Sequence, residues 1–309
     1  MGLYVAGFNA WRQLEFSSAG DGKGKSSEEP SDVRVFQRVL EDSPIEVLYA
    51  SLSCTLVRTP AGLQYAGFPD KSLKTEQHKD KLLSSTAATA GNGFISIYDG
   101  VGTVVQYTSL SSLNKGETHG RVFNGMKAII QLVAYETGFA ALSKDGSVWT
   151  WGDDRYTDAL GREVTESSPA NKPGMVEDLI DLPSGKIKKI AAAGYMTLAL
   201  TEGHDLYAWG SHPGRLPVLE SISGTPEPVM VEEHDIADFA VGETHVIVLT
   251  VNGDIYIVGE NTNGQLGLPL ERTTKWARIS LPLVPGEVIT GVKAGQRSSL
   301  ILTEVRHSA

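Results

Sequence analysis

Five short hairpins recur along this chain of 309 residues, each turning on glycine. The clearest runs from apolar residues 246–249 through Val251-Asn252-Gly253-Asp254 into 255–258, after which Gly259 ends the strand and 261–267 forms a loop. Asn-Gly between β-branched runs directs a tight hairpin, because both residues tolerate the positive φ such turns need. Copies surround Lys144-Asp145-Gly146 and Glu202-Gly203, a looser one surrounds Pro60-Ala61-Gly62, and a worn one surrounds Asp99-Gly100-Val101-Gly102. The turn glycines Gly62, Gly102, Gly146, Gly203 and Gly253 fall 40, 44, 57 and 50 residues apart. A lone hairpin cannot bury its faces, so units repeating at this period must stack on one another.

Each unit reads as the centre of one antiparallel blade. Residues 3–14 form the second half of a unit with no first half, and 288–303 a first half with no second. Pairing the two in one blade removes two exposed sheet edges and closes a ring. The expected fold is all-β, one propeller domain over 1–309 with six or seven blades. Five internal units and the shared one make six, and a seventh has room within 70–85 or 153–186. Residues 33–40 alternate apolar and polar and are expected to be the outer strand of the next blade. The Gly, Ser, Lys and Glu of about 16–32 predict a mobile loop. A short helical turn is expected within 69–85 and a polar loop over 109–121. Pro169, Pro173 and Pro183 predict irregular chain over about 153–186. Four prolines in 211–228 predict a crossing between blades.

The pattern Ala-Gly-x-x-His-[ST]-x-x-Leu-Thr, a turn glycine, then Tyr-x-x-Gly-x-Asn-x-x-Gly-Gln-Leu-Gly is best preserved over 241–267. It resembles the repeat of the regulator of chromosome condensation family, and the resemblance implies an RCC-type β-propeller, normally of seven blades. The family's histidine column holds His245, while the matching positions are Ser53, Met196 and Ser298, and one Gln-Leu-Gly is intact. The namesake exchange factor for the GTPase Ran carries a basic tail before its first blade. Here the first strand opens at Leu3, so no such tail is expected.

A formal charge of −10 gives no general attraction to phosphate backbones, so no direct nucleic-acid binding is expected. One cysteine, Cys54, excludes an internal disulfide framework. No signal-peptide core or membrane-length apolar run is present, and the cytosol or nucleus is the expected compartment.

Candidate chemistry is sparse. The run from Gly20 to Ser26 lacks the leading glycine of a phosphate loop, since position 19 is Ala19. Cys54, between Leu52 and Leu56 in a predicted strand, reads as a packed core thiol, and His245 as a hydrogen-bonded structural histidine. Glu232-Glu233-His234-Asp235 reads as a solvated connection, because consecutive residues rarely converge on one ion. Asp153-Asp154 has no partner acid for hydrolysis. Trp149, Trp151 and Trp209 read as blade packing. No catalytic site, metal or cofactor is expected.

Aligned by repeat, the loops after Gly7, Gly152, Gly210 and Gly259 leave from one rim. They carry Trp11, Arg12, Asp153, Asp154, Arg155, Tyr156, His212, Arg215, Asn261 and Asn263, and aromatic and arginine side chains are favoured anchors of protein interfaces. The expectation is a non-enzymatic scaffold or regulatory subunit, monomeric on its own and not membrane-bound. The resemblance implies two kinds of partner. Members similar to fungal alpha-tubulin suppressor proteins pair with a small metalloprotein of tRNA-modification and diphthamide pathways. Others partner a JmjC-type oxygenase in chromatin or spindle control. The alternative is nucleotide exchange on a Ran-like small GTPase.

Overall fold

At the clearest turn, Thr250 N–H donates to Asp254 O (2.8 Å) and Gly253 N–H to Thr250 O (3.0 Å), with Gly253 at φ 88°. The turn at 143–147 repeats this, with Ser143 donating to Ser147 O (2.9 Å) and Gly146 to Ser143 O (2.9 Å). At 201–205 the same two bonds come from Thr201 and from His204, and His204 carries the positive φ, 74°. Gly203 therefore sits one position before the turn residue that the repeat spacing assigned to it. Asp205 N–H and Asp254 N–H each find a threonine hydroxyl (Thr201 and Thr250, both 3.0 Å), which completes the shared turn chemistry.

The computed structural model describes residues 1–16, 29–69, 80–118, 121–220 and 222–306. Among them are five four-stranded antiparallel sheets and one three-stranded sheet, divided between two compact units.

The first unit holds residues 1–74 and 231–309. In its terminal sheet Gly2–Gly7 pairs with Ser298–Val305 in unbroken register from Gly2↔Thr303 to Gly7↔Ser298, as the half-units at the two ends predict. Glu287–Gly295 flanks one side of this pair. Val33–Glu41 flanks the other, pairing with Gly2–Gly7. It is thus the outer strand of the terminal sheet, not of the next blade. That edge was open because Gly2–Gly7 has only one other partner. Strand Gly2–Gly7 is buried on both faces. Tyr4 and Ala6 pack with Ile247 and Ile257 of the sheet from Ile236–Val241 to Arg272–Ile279, and with Leu266 of the loop after its third strand. Leu3 and Val5 pack with Ile45 and Val57 on the side of the three-stranded sheet. Period-two alternation here separates two apolar cores rather than core from solvent.

The second unit, 75–230, repeats this logic. Phe139, Ala141 and Trp151 face a core with Tyr98 and Val104, while Ala140 and Leu142 face one with Ile190 and Trp209. The worn copy is a true hairpin, Ile95–Tyr98 with Thr103–Tyr107. Gly174–Met175, inside the stretch expected to be irregular, is the fourth strand of its sheet, and Asp154–Leu160 and Glu177–Leu179 are 3₁₀ turns. Those residues complete an existing blade and supply no seventh. The expected polar loop at 109–121 contains the helix Leu110–Lys115, closed by a Ser109–Ser112 capping box and Gly116. Proline-rich 211–228 ends in the outer strand Glu227–Val229, an edge position that tolerates Pro228. The mobile-loop and phosphate-loop readings at 17–28, and most of the helical turn at 69–85, lie outside the described residues. No described helix is long and apolar enough to cross a membrane.

Candidate partner-binding loops

Because neighbouring strands run antiparallel, the turn joining the first two strands of a sheet and the loop after its third leave from the same end. Backbone bonds tie these segments together: Phe68 N–H donates to Ser53 O (2.7 Å), Glu260 N–H to Thr244 O (2.9 Å) and Asp153 N–H to Thr137 O (3.2 Å).

In the first unit the loop after Gly7 is a rigid presentation device. Leu14 N–H donates to Asn9 Oδ1 (3.0 Å), Trp11 N–H to Gln13 Oε1 (3.0 Å) and Gln13 Nε2 to Phe8 O (2.7 Å). Asn9, Gln13 and Leu14 are buried, so the polar groups that shape the loop are withdrawn from solvent and satisfied. Arg12 takes a left-handed conformation, φ 58°, and its guanidinium pairs with Glu15 at 2.7 Å. Trp11 stands out from this frame, 50% exposed, with its ring edge-on to that of Phe68 (6.0 Å, 81°), itself 53% exposed.

The loop after Gly259 uses the same bonds: Leu266 N–H to Asn261 Oδ1 (2.8 Å) and Asn263 N–H to Gln265 Oε1 (3.0 Å). Asn261 is only 3% exposed and spends its amide on Leu268 O and Leu270 O (2.7 and 2.5 Å). It builds the loop and is not available to a partner. Asn263 donates to Asp32 Oδ2 (2.9 Å), whose other oxygen accepts from Asn9 N–H (3.1 Å). Asp32 thus clamps the two loops together, and Asn263 also belongs to the framework.

The second unit gathers a different set. Asp153 accepts from Arg155 N–H (3.0 Å) and forms a two-pronged pair with its guanidinium (2.9 and 2.6 Å). The hydrogen bonds from Arg155 hold the Asp153 carboxyl down at about 2. Tyr156, Tyr195 and His212 cluster with ring centroids 4.8, 5.6 and 4.6 Å apart, and the Arg155 guanidinium lies 5.7 Å from the Tyr156 ring. Burial first, then the hydrogen bond with Tyr156, pushes the Tyr195 phenol up to about 12. Ser211 Oγ donates to Asp158 Oδ2 (3.0 Å), joining the loops after Gly152 and Gly210. Asp154 and Arg215 are exposed.

The predicted residues thus fall into two groups, one in each unit. Phe68 and Tyr195 were missed. Both lie next to a repeat glycine at the loop-bearing end, Gly67 and Gly194, and that placement was the available signal. Buried Arg162, also missed, donates to the carbonyls of Thr150, Ser168, Pro169 and Lys172 (3.0 to 3.3 Å) and fixes the long loop from within.

Other sequence candidates resolve structurally. Cys54 is fully buried in strand Cys54–Thr59. His245 is fully buried, but neither ring nitrogen has a hydrogen-bond partner among the described residues. Its ring lies against Gly242, and the backbone of Ser298 is the polar group that acts on it. His234 Nε2 lies 3.1 Å from the Tyr256 hydroxyl, and no three metal-ligating side chains converge among the described residues.

Repeated antiparallel sheets, one of them built from both ends of the chain, match the β-propeller fold. The family model of the regulator of chromosome condensation (RCC1) repeat matches residues 236–265, and these comparisons support an RCC1-type propeller. It is similar, at 31% identity over 177 residues, to Protein pim1 of Schizosaccharomyces pombe (53% of this chain, 32% of the relative). Over 150 residues it is 33% identical to the Regulator of chromosome condensation of Xenopus laevis (47% of this chain, 34% of the relative). The match to these curated relatives spans about a third of their length. The fold is similar to that of human WBSCR16 (TM-score 0.65, 17% identity, 97% of this chain and 98% of that one). It is also similar to that of Prp20p from Saccharomyces cerevisiae (TM-score 0.67, 14% identity, 99% and 92%).

Proposed function

We propose that this chain is a protein-interaction module, without catalysis of its own, that holds a protein partner on its loop-bearing ends. The observation that carries this reading is the Trp11–Phe68 pair. Trp11 stands half in solvent on a loop whose framework side chains Asn9 and Gln13 are buried and bonded, edge-on to the half-exposed ring of Phe68 from the loop after Gly67. Ordering such a loop before binding lowers the entropic cost of association. The displaced ionisable groups have structural explanations: Arg155 accounts for Asp153, and the amides of Thr103 and Val101 account for Asp99, also held near 2.

Within this reading the partner is a small metalloprotein of the tRNA-modification and diphthamide pathways, or a JmjC-type oxygenase, met in the cytoplasm or nucleus. A second reading, exchange on a Ran-like GTPase, draws support from the relatives, since the Prp20p structure is reported with binding properties to Gsp1p and histones. Co-purification of the tagged chain from its native extract at near-physiological salt, with mass spectrometry, separates them. A stoichiometric metalloprotein or oxygenase upholds the first reading. A small GTPase retained when its nucleotide is stripped, and released by nucleotide, replaces it with the second.

A further inference from the structure

Three loops of the second unit bring rings together without enclosing them. Tyr156 follows strand Val148–Gly152, Tyr195 sits in the turn before Met196–Thr201, and His212 follows Leu206–Trp209. All three remain partly exposed, and Leu216 beyond them is 76% exposed. A core cluster would be sealed, so these rings are a surface.

The charge around them is predominantly negative. The Glu136 carboxylate lies so close over Gly91 that a side chain there would meet it, and Glu136 is near enough to raise the Tyr195 phenol by its charge. Among the described residues Glu136 forms no ion pair. Asp154 and Asp158 add exposed carboxylates on the adjoining loop. Of the two local cations, Arg155 is already held by Asp153, which leaves Arg215 as the opposing charge. The ring faces accept a guanidinium, since Arg155 itself stands over Tyr156. Aromatic faces beside carboxylates attract cations through the ring quadrupole and the local field together.

Resting on the reading that these loops hold a protein, we propose that the Tyr156–Tyr195–His212 surface, flanked by Glu136 and Asp154, docks an arginine-bearing basic segment of the partner. Arginine fits better than lysine because its planar guanidinium can stack on a ring and fork to a carboxylate at once. An acidic peptide would meet the same carboxylates and be repelled.

The test uses the full chain and fluorescein-labelled peptides of equal length, with arginine, lysine or glutamate alternating with glycine and serine, read by anisotropy in about 0.1 M salt, where distant charges are largely screened. The arginine peptide should bind tightest and the glutamate peptide not at all. Tyr156→Ala/Tyr195→Ala keeps the net charge, so the expected weakening of about tenfold or more reads the ring faces rather than bulk charge. Glu136→Gln should weaken binding several-fold with the thermal midpoint unchanged, and it decides the matter if the double variant does not fold. Equal binding by wild type and Glu136→Gln, or preference for the glutamate peptide, overturns the proposal. Such a failure with a partner still co-purifying removes only the docking chemistry, whereas loss of any partner removes the parent reading.

Discussion

Arg38 and Glu287, 249 residues apart, form an ion pair of 3.2 Å inside the sheet shared by the two ends of the chain. The Glu287 side chain is wholly buried and also receives bonds from the Thr303 hydroxyl, the Tyr4 hydroxyl (3.3 Å) and Val284 N–H (3.0 Å). Arg38, Tyr4, Thr303 and Glu287 come from four different strands, so one carboxylate joins the entire sheet. Burial raises the Glu287 carboxyl, but its donors and Arg38 together outweigh that and hold it below the usual range.

Glu287→Ala should therefore cost about 2–3 kcal/mol, since it removes the buried, charged acceptor that four donors share and leaves Arg38 only the exposed Glu41 as ion-pair partner. Chemical denaturation measures it. A loss under about 0.5 kcal/mol would show that the pairing of Gly2–Gly7 holds without the clasp.

His245 sets a second dependence. Burial lowers its pKa to about 4, partly offset by the Ser298 backbone, so the folded protein keeps the imidazole neutral where the unfolded chain protonates it. The unfolded state then binds more protons between the ordinary value near 6.5 and about 4. Stability is full above that window and falls as pH drops through it, by about 3 kcal/mol. His245→Met, the residue at the matching position Met196, should flatten the slope across that window. An unchanged slope would assign the acid sensitivity elsewhere.

The same histidine makes Gly242 necessary for a steric reason. A side-chain carbon on Gly242 would overlap the His245 ring, although Gly242 has ordinary backbone angles. Gly242→Ala should destabilise by about 1–3 kcal/mol, and much less when His245→Ala opens the space. Additive effects in that double-mutant cycle would rule the contact out.

His204 offers a gain. It occupies a left-handed turn position that glycine fills at 146 and 253, against only a 3.3 Å contact of its Nδ1 with Lys188 Nζ and the further interactions of a partly exposed side chain. His204→Gly should stabilise by about 0.5 kcal/mol, read as a rise in Tm. A fall would mean that the side-chain contacts outweigh the backbone strain.

That turn also shows how far the sequence carries. Asn252-Gly253 announced its hairpin because φ preference is local, and so did the half-units at the two ends. Gly203 misled by one position because a glycine nearby satisfies a spacing rule without supplying the turn residue. The partner of Val33–Glu41 was illegible because outer-strand alternation says which face is apolar and nothing about which edge is open. The loop residues divided similarly. Trp11 was legible as an aromatic outside a strand, whereas Asn261 and Asn263 looked accessible until their amides were found building the loops. Tyr195 gained meaning only when folding brought it 4.8 Å from Tyr156.

The exposed Trp11–Phe68 pair is the proposed anchor of a protein partner. The most direct test is the affinity of the co-purified partner for wild type and for Trp11→Ala/Phe68→Ala, measured by calorimetry with the thermal midpoints of both forms as controls. Central aromatic anchors contribute about 2–4 kcal/mol, so binding should weaken at least thirtyfold or so while the midpoint stays within about a degree. Undiminished affinity in a folded variant would contradict the account and move the interface away from this loop.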